Sequence, residues 1–165
     1  MRLVATVVAM LALAGCAEPS PTPSADGKGP DWSFTAIDGE THSRDAPAAN
    51  ATVLFFMATW CGSCRVTAPV LAGVAPEYEA IGVRMLSVDF DASETAEDLR
   101  AWQDRYHQPW PHGTDPGLRT QRALDVRSQS SVVVLDADGN VVEHFGYGKV
   151  TDAGLRDALA RALAA

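Results

Sequence analysis

Two cysteines three positions apart are the residues of this sequence best suited to chemistry. They lie in the run Trp-Cys-Gly-Ser-Cys at 60–64, between an apolar stretch and a helical pattern. The free N–H groups and the dipole at the start of a helix stabilise negative charge, so we expect thiolate to be available there near neutral pH. A thiolate would attack the disulfide of a partner, and the second cysteine would resolve the mixed disulfide. A disulfide at this spacing closes too small a loop to be explained by stability alone.

The same cysteine pair could instead supply half of a metal site. Zinc would need two further ligands, and His107 and His112 are the candidates, because Cys16 is expected to be lipidated. An isolated histidine beside tryptophan and proline is more typical of a surface loop. Copper could use the soft thiolates with Met57 or Met85, although methionines in apolar strands are more typical of a core. We therefore predict no metal ligand and keep a metal-binding module as the alternative.

Alternating strands and helices must position the cysteine pair. Apolar and β-branched runs predict buried strands, and a turn-forming segment predicts a return strand; these lie at 52–57, 83–90, 131–135 and, after the turn at 136–140, at 141–145. Helical spacing of apolar residues predicts helices after Cys64, around 99–106, briefly at 118–124 and at 155–163. Ser93 or Thr95 is expected to cap the second helix, and Thr151 the last. This order predicts an α/β fold with a central mixed β-sheet and helices on both faces.

The segment T-W-C-G-S-C-R-V-T-A-P at 59–69 resembles the thioredoxin superfamily, in particular the bacterial TlpA/ResA-like thiol–disulfide oxidoreductases. Members of this family have a tryptophan before the first cysteine and a proline five residues after the second, and Trp60 and Pro69 match both. The resemblance runs from about 32 to 164, and F-T-A-I-D-G-E at 34–40 is similar to the N-terminal β-hairpin of this branch. It implies a thioredoxin fold, Cys61 as nucleophile, Cys64 as resolving thiol, and no cofactor beyond this redox couple.

Three positions depart from the family pattern. Phe55 and Thr67 stand where thioredoxins and ResA-like proteins, respectively, carry an acid that accepts the proton of the resolving thiol. Ser130 stands where the fold places a cis-proline, and no proline follows Pro116. Because a cis bond before a non-proline residue costs about 2.5–4 kcal/mol, we expect the 129–130 bond to be trans. The restored N–H or the hydroxyl of Ser130 could then hydrogen-bond a Cys61 thiolate.

The N-terminal segment predicts export and a lipid anchor. Arg2 precedes an apolar stretch ending in small residues, which is the plan of a signal peptide over 1–15, and Leu-Ala-Gly-Cys at 13–16 resembles a lipobox with Cys16 as the acylated residue. The Pro/Ser-rich stretch that follows predicts an extended tether over 16–30, leaving a thioredoxin-like domain at 31–165. No apolar run reaches the 18 or so residues of a transmembrane helix.

These features predict an extracytoplasmic, lipid-anchored thiol–disulfide oxidoreductase that acts through Cys61 and Cys64. Trp60, Gly62, Ser63, Pro69 and Ser130 are the expected neighbours of the couple. The expected partners are cysteine-bearing exported proteins, a membrane thiol electron donor or acceptor, and the bilayer, with the protein itself a monomer. The net charge of −8 argues against nucleic acid as a partner. The alternative is a lipid-anchored zinc- or copper-binding module, or a chaperone, that uses the same two thiolates.

Overall fold

The computed structural model of this chain describes residues 28–46, 49–91 and 93–165. The predicted signal peptide, Cys16 and most of the predicted tether lie outside these residues. The elements in chain order are β1 (Ser33–Ala36), β2 (Thr41–Ser43), β3 (Ala51–Met57), α1 (Cys64–Glu79), β4 (Val83–Asp89), α2 (Ala96–Tyr106), β5 (His112–Thr114), α3 (Arg119–Ala123), β6 (Ser131–Leu135), β7 (Val141–Phe145) and α4 (Asp152–Ala162). Within the described part, no helix is long and apolar enough to cross a membrane.

One mixed sheet carries all of these strands, in the order β2-β1-β5-β4-β3-β6-β7. β3 pairs parallel with β4, and β4 with β5, whereas β6 and β7 continue the sheet in antiparallel pairs. β1 and β2 form an antiparallel hairpin at the other edge, as the resemblance implied. Every residue of β3 is buried, which agrees with its continuous apolar run.

Two apolar layers cover the sheet. The larger contains Leu71 of α1, Leu99 of α2 and Leu159 of α4, and it also holds the cysteine pair. The layer on the other face joins Trp32 and Phe34 to the residues around α3. The predicted mixed sheet with helices on both faces is therefore confirmed, with α1, α2 and α4 packed on the face that holds the cysteines.

The predicted helix caps are also present at α2 and α4. Thr95 and Asp98 form a reciprocal capping box at the start of α2, which decides between the two predicted caps in favour of Thr95. Thr151 Oγ1 accepts the N–H of Gly154 at the start of α4. These local bonds explain why both helices begin where the sequence pattern placed them.

The strand β5 was not predicted, and its first residue, His112, was wrongly expected in a surface loop. Histidine, glycine and threonine in a run of three give little strand signal by themselves. Tertiary pairing forms the strand, because Gly113 lies so close to β1 that a Cβ would stand 2.2 Å from the Thr35 carbonyl oxygen. His112 is fully buried. Its ring nitrogens lie 2.9 Å from the Trp110 carbonyl oxygen and 3.1 Å from Gln108 Oε1.

Candidate functional site

Cys61 and Cys64 are joined by a disulfide at the point where β3 leads into α1, with their Cα atoms 5.2 Å apart. The pair was expected at the start of a helix, and α1 begins at Cys64 with Cys61 just before it. Ser63 occupies the N-cap position without a side-chain cap bond. Instead, Cys61 Sγ accepts the N–H of Cys64 at 3.1 Å. The sulfur of Cys61 thus occupies the place of an N-cap acceptor, where the helix dipole favours negative charge.

The surroundings of Cys61 are polar on one side and apolar on the other. Ser63 Oγ lies 3.3 Å from Cys61 Sγ and can donate to it. Cys61 is 2% exposed and Cys64 is 0% exposed, so both cysteines are almost completely buried in the disulfide form. The difference in exposure between them is smaller than the predicted roles suggest. Gly62 and Trp60 remain exposed beside the pair, with 55% of Trp60 accessible.

Ser130 lies immediately before β6 and is fully buried. The described residues contain no cis peptide bond, so the predicted trans geometry at 129–130 is present. Ser130 has a φ of 59°, in the left-handed region. Its hydroxyl lies 3.1 Å from Thr67 Oγ1, and its carbonyl accepts the Gly148 N–H at 2.9 Å. In this disulfide form the Ser130 hydroxyl is paired with Thr67 on α1, and its bond to a Cys61 thiolate stays a prediction for the reduced protein.

No acid stands at the two positions where relatives of this fold carry one. Phe55 is 1% exposed and belongs to the same apolar cluster as Cys61 and Cys64. Thr67, one helical turn after Cys64, offers a hydroxyl that is already paired with Ser130. Pro69 follows within α1, as the motif predicted. Cys64 thus lies in an apolar cluster, and neither of these two positions supplies a carboxylate for its proton.

Two acidic residues that were not predicted contact the segment just before Cys61, and a third supports one of them. Glu94 Oε1 accepts both the N–H and the hydroxyl of Thr59, each at 2.6 Å. Asp91 Oδ2 accepts the Trp60 indole N–H at 2.8 Å. Asp89, the last residue of β4, is buried. Its Oδ1 accepts the backbone N–H of Asp91 at 2.8 Å. The carboxyl ends of neighbouring parallel strands lie at the same edge of a sheet. Acids after β4 could therefore have been expected near the segment after β3.

Burial and neighbouring charges act differently on these acids. Burial, and then the charge of Glu94, raises the pKa of Asp89 to about 8, although the Asp91 N–H acts against this. Asp91 is more accessible, and hydrogen bonds from Ser93 and then Trp60 lower the pKa of its carboxyl. The carboxyl of Asp89 therefore holds its proton to higher pH than an exposed aspartate, whereas that of Asp91 loses its proton more readily.

The histidines considered for a zinc site do not come together with the cysteine pair in the described part of the chain. His112 is bonded to Gln108 and Trp110, and burial lowers its pKa to about 4. His107 is exposed at the C-terminal end of α2, and Met57 and Met85 belong to the apolar core. Among the residues that the structure describes, no three histidine, cysteine, aspartate or glutamate side chains come together as ligands.

Known proteins share this arrangement of sequence and fold. The model of the AhpC/TSA family matches residues 26–144. The thioredoxin-like protein YneN of Bacillus subtilis is 30% identical over 124 residues, covering 74% of this chain and 71% of that protein. The thiol-disulfide oxidoreductase ResA of Bacillus cereus is 25% identical over 114 residues, which cover 69% of this chain but only 65% of ResA.

Solved structures support the fold. A thioredoxin-like protein from Aeropyrum pernix superposes with a TM-score of 0.69 at 24% identity, covering 79% of this chain and 89% of that one. A thiol:disulfide interchange protein of the thioredoxin family from Chlorobium tepidum gives a TM-score of 0.69 at 23% identity, with 89% and 99% covered. These likenesses establish a thioredoxin-like fold.

Proposed function

Because this chain belongs to the AhpC/TSA family and is a thiol–disulfide oxidoreductase, we propose that Cys61 and Cys64 carry the exchange. Cys61 is the attacking thiol and Cys64 the resolving thiol. The observation that supports these roles most directly is the 3.1 Å bond from the Cys64 N–H to Cys61 Sγ. It places the first sulfur at the positive end of α1, where a thiolate is stabilised, and the second sulfur at the buried start of the helix.

The exchange proceeds in two sulfur transfers. The Cys61 thiolate attacks one sulfur of a client disulfide, the client S–S bond breaks, and the other client sulfur leaves as a thiolate that takes up a proton. Cys64 then loses its proton and attacks Cys61 Sγ, which releases the second client thiol. The Cys61–Cys64 pair loses two electrons and the client disulfide gains them. The reverse sequence oxidises a client dithiol, and the reduction potential of the couple sets the direction.

The neighbouring residues assist without reacting. Ser63 Oγ, 3.3 Å from Cys61 Sγ, can donate to the thiolate. The exposed Trp60 and the small Gly62 leave room for a client chain beside Cys61. Pro69 influences the course of α1, and Ser130 contributes to the packing of the segment before β6 against that helix. The clients are proteins with cysteines, and no further cofactor takes part.

Trapping experiments test the two roles. In a Cys64→Ser variant, mixed disulfides with clients should accumulate through Cys61, because the resolving attack is lost. The matched Cys61→Ser variant should trap none and should lose activity against a disulfide substrate such as insulin. Equal trapping by the two variants would contradict the assignment.

We place this activity outside the cytoplasm, on a lipid anchor at Cys16. The support is the apolar stretch that ends in Leu-Ala-Gly-Cys at 13–16 and the Pro/Ser-rich segment after it. The bilayer would then be one partner, exported cysteine-bearing proteins the clients, and a membrane thiol protein the electron donor or acceptor. Membrane fractionation tests the anchor: wild type should sediment with membranes, and Cys16→Ser should be released or remain unprocessed. Wild-type protein found free of the membrane would overturn the anchor but not the exchange chemistry.

A further inference from the structure

Two acidic side chains hold the chain immediately before Cys61. Glu94 Oε1 receives the backbone N–H and the hydroxyl of Thr59, at 2.6 Å each. Asp91 Oδ2 receives the indole N–H of Trp60 at 2.8 Å. Thr59 and Trp60 are the two residues that precede the attacking cysteine. The position of Cys61 relative to α1 therefore depends on side chains that lie beyond the end of β4.

Among the residues that the structure describes, no donor lies within hydrogen-bond distance of the second oxygen of Glu94 or of one oxygen of Asp89. Asp89 is 3% exposed, and its Oδ1 accepts the Asp91 N–H, but its Oδ2 is buried without a partner. Glu94 Oε2 is likewise buried without a hydrogen-bond partner among the described residues. The side chains of Asp89 and Glu94 interact directly, and two charged carboxylates in such a buried contact would repel strongly. One proton between the two groups would give each orphan oxygen a partner.

We infer that Asp89 and Glu94 share one proton and that this carboxyl pair is a positioning element for Thr59, Trp60 and, through them, Cys61. Glu94 makes the contact, and protonated Asp89 donates to Glu94 and fixes its orientation. Both are positioning residues, since neither touches the reacting sulfurs. The link to catalysis rests on the proposed role of Cys61, whereas the shared proton itself does not.

The arrangement has a pH dependence with a definite sign. Burial and the Glu94 charge raise the pKa of Asp89 to about 8. Above that pH the shared proton is lost, the two buried carboxylates repel, and the hydrogen bonds of Glu94 to Thr59 weaken. Cys61 should therefore be less well positioned, and disulfide exchange slower than it would otherwise be, as the pH rises through this range.

Other charged groups lie near the pair, and a pH experiment must distinguish their effects from that of the pair. In the described part of the chain they are Asp91 beside Trp60, and Arg65, whose Nη2 lies 3.4 Å from the Thr59 carbonyl oxygen. Asp98 and Arg105 line a surface groove together with Thr59 and Arg65. The two cysteines do not titrate while they are joined in the disulfide.

Fluorescence of the oxidised full chain tests the shared proton. Trp60 is exposed and bonded to Asp91, so its emission reports on this segment, and a Trp60→Phe variant identifies its signal. Wild type should show a transition with a midpoint near pH 8 that Asp89→Asn and Glu94→Gln both abolish. The matched control is Asp98→Asn, which removes an acid bonded only locally to Thr95 and should leave the transition in place. No transition between pH 6.5 and 9.5, or one that survives in both variants, would overturn the inference.

Exchange kinetics of the reduced protein test the positioning role. Glu94→Ala removes the acceptor of Thr59 and should slow attack on glutathione disulfide about fivefold at pH 7. Glu94→Gln keeps an acceptor for Thr59 and gains a donor for Asp89, so it should restore the rate near pH 7 and remove the loss above pH 8. A rate in Glu94→Ala equal to wild type would contradict the positioning role. If Cys61→Ser kept exchange activity, the proposed function would fail, while the fluorescence transition, measured without exchange, would be unaffected.

Discussion

Thr67 Oγ1 and Ser130 Oγ lie 3.1 Å apart and join α1 to the residue before β6 in a buried contact. These are two of the three positions at which this chain departs from the pattern of its relatives. The family places a glutamate at the first position and a cis-proline at the second. In this chain two small hydroxyl side chains face each other there instead. The two departures therefore form one structural unit, in which each hydroxyl supplies the partner that the other needs when buried.

A double-mutant cycle should show that the two hydroxyls act together. Thr67→Val and Ser130→Ala each leave one buried hydroxyl unpaired, which costs about 1–3 kcal/mol. The double variant removes both groups and should be more stable than the sum of the two losses predicts. The measurement is urea unfolding of the oxidised protein.

Ser131 provides the matched control for this cycle. It is also buried next to Ser130, but its hydroxyl lies 3.4 Å from Ser128 Oγ. Thr67→Val and Ser131→Ala should therefore have additive effects on the free energy of unfolding. Additive effects in the Thr67 and Ser130 pair as well would show that their hydroxyls do not depend on each other.

Replacing Ser130 by the proline of its relatives should destabilise this protein. Proline fixes φ near −65°, whereas Ser130 has a φ of 59°. Ser130→Pro should lose more than about 1 kcal/mol relative to Ser130→Ala. Both variants lack the hydroxyl, so their difference isolates the constraint of the ring. Equal urea midpoints for the two would mean that the residue before β6 adopts the proline conformation freely.

The central elements could be predicted because their signals are local. The apolar run of β3 marks a strand buried on both faces, and the capping residues Thr95 and Thr151 mark where α2 and α4 begin. The motif between β3 and α1 placed the cysteine pair. The helix expected after Cys64 begins at Cys64, and the sulfur of Cys61 accepts a backbone N–H from outside it.

The rest of the site depends on contacts between distant segments. Glu94 meets Thr59 across 35 residues and Thr67 meets Ser130 across 63, and neither pairing leaves a spacing that a pattern can detect. The burial of His112 likewise results from the pairing of β5 with β1 and β4. Tertiary structure overrides the weak local signal of such short segments.

Ser63 should influence the reactivity of Cys61. Its hydroxyl lies 3.3 Å from Cys61 Sγ, and a hydrogen bond to a charged acceptor is worth about 1.5–3 kcal/mol. Ser63→Ala should therefore slow iodoacetamide alkylation of Cys61 in the reduced protein at pH 7, by up to about tenfold. Ser128→Ala, which changes a serine near β6, is the control and should leave the rate unchanged. An unchanged rate in Ser63→Ala would show that the hydroxyl does not donate to the thiolate.

An acid at position 67 should accelerate the resolving step. Cys64 belongs to the apolar cluster that also holds Phe55, and Thr67 one helical turn later carries a hydroxyl, so neither position offers its proton a carboxylate acceptor. Thr67→Glu should raise the rate of disulfide reduction at pH 7 above that of Thr67→Gln, which has the same shape without an acceptor for the proton. Because an unpaired buried acid costs about 1–3 kcal/mol or more, circular dichroism and urea unfolding must first show that both variants fold. Equal rates in two folded variants would contradict the proton-acceptor argument.

Asp89 should make the oxidised protein less stable as the pH rises. Its folded pKa of about 8 lies above the ordinary value of 3.8, so between these values the folded state binds a proton that the unfolded state does not. The stabilisation is fully present below about pH 4 and is lost as the pH rises through about 8.

His112 acts in the opposite sense, because burial lowers its pKa to about 4 and the cost of keeping it neutral grows as the pH falls below about 6.5. The free energy of unfolding should therefore be measured between pH 6.5 and 9 and compared with a variant that keeps His112, so that the contribution of this histidine is the same in both proteins. Wild type should lose stability across this range relative to Asp89→Asn, whereas Asp98→Asn, whose carboxyl has a pKa lowered by hydrogen bonds from Thr95, should follow wild type. Parallel curves for wild type and Asp89→Asn would show that the carboxyl of Asp89 is already ionised in the folded protein at pH 6.5.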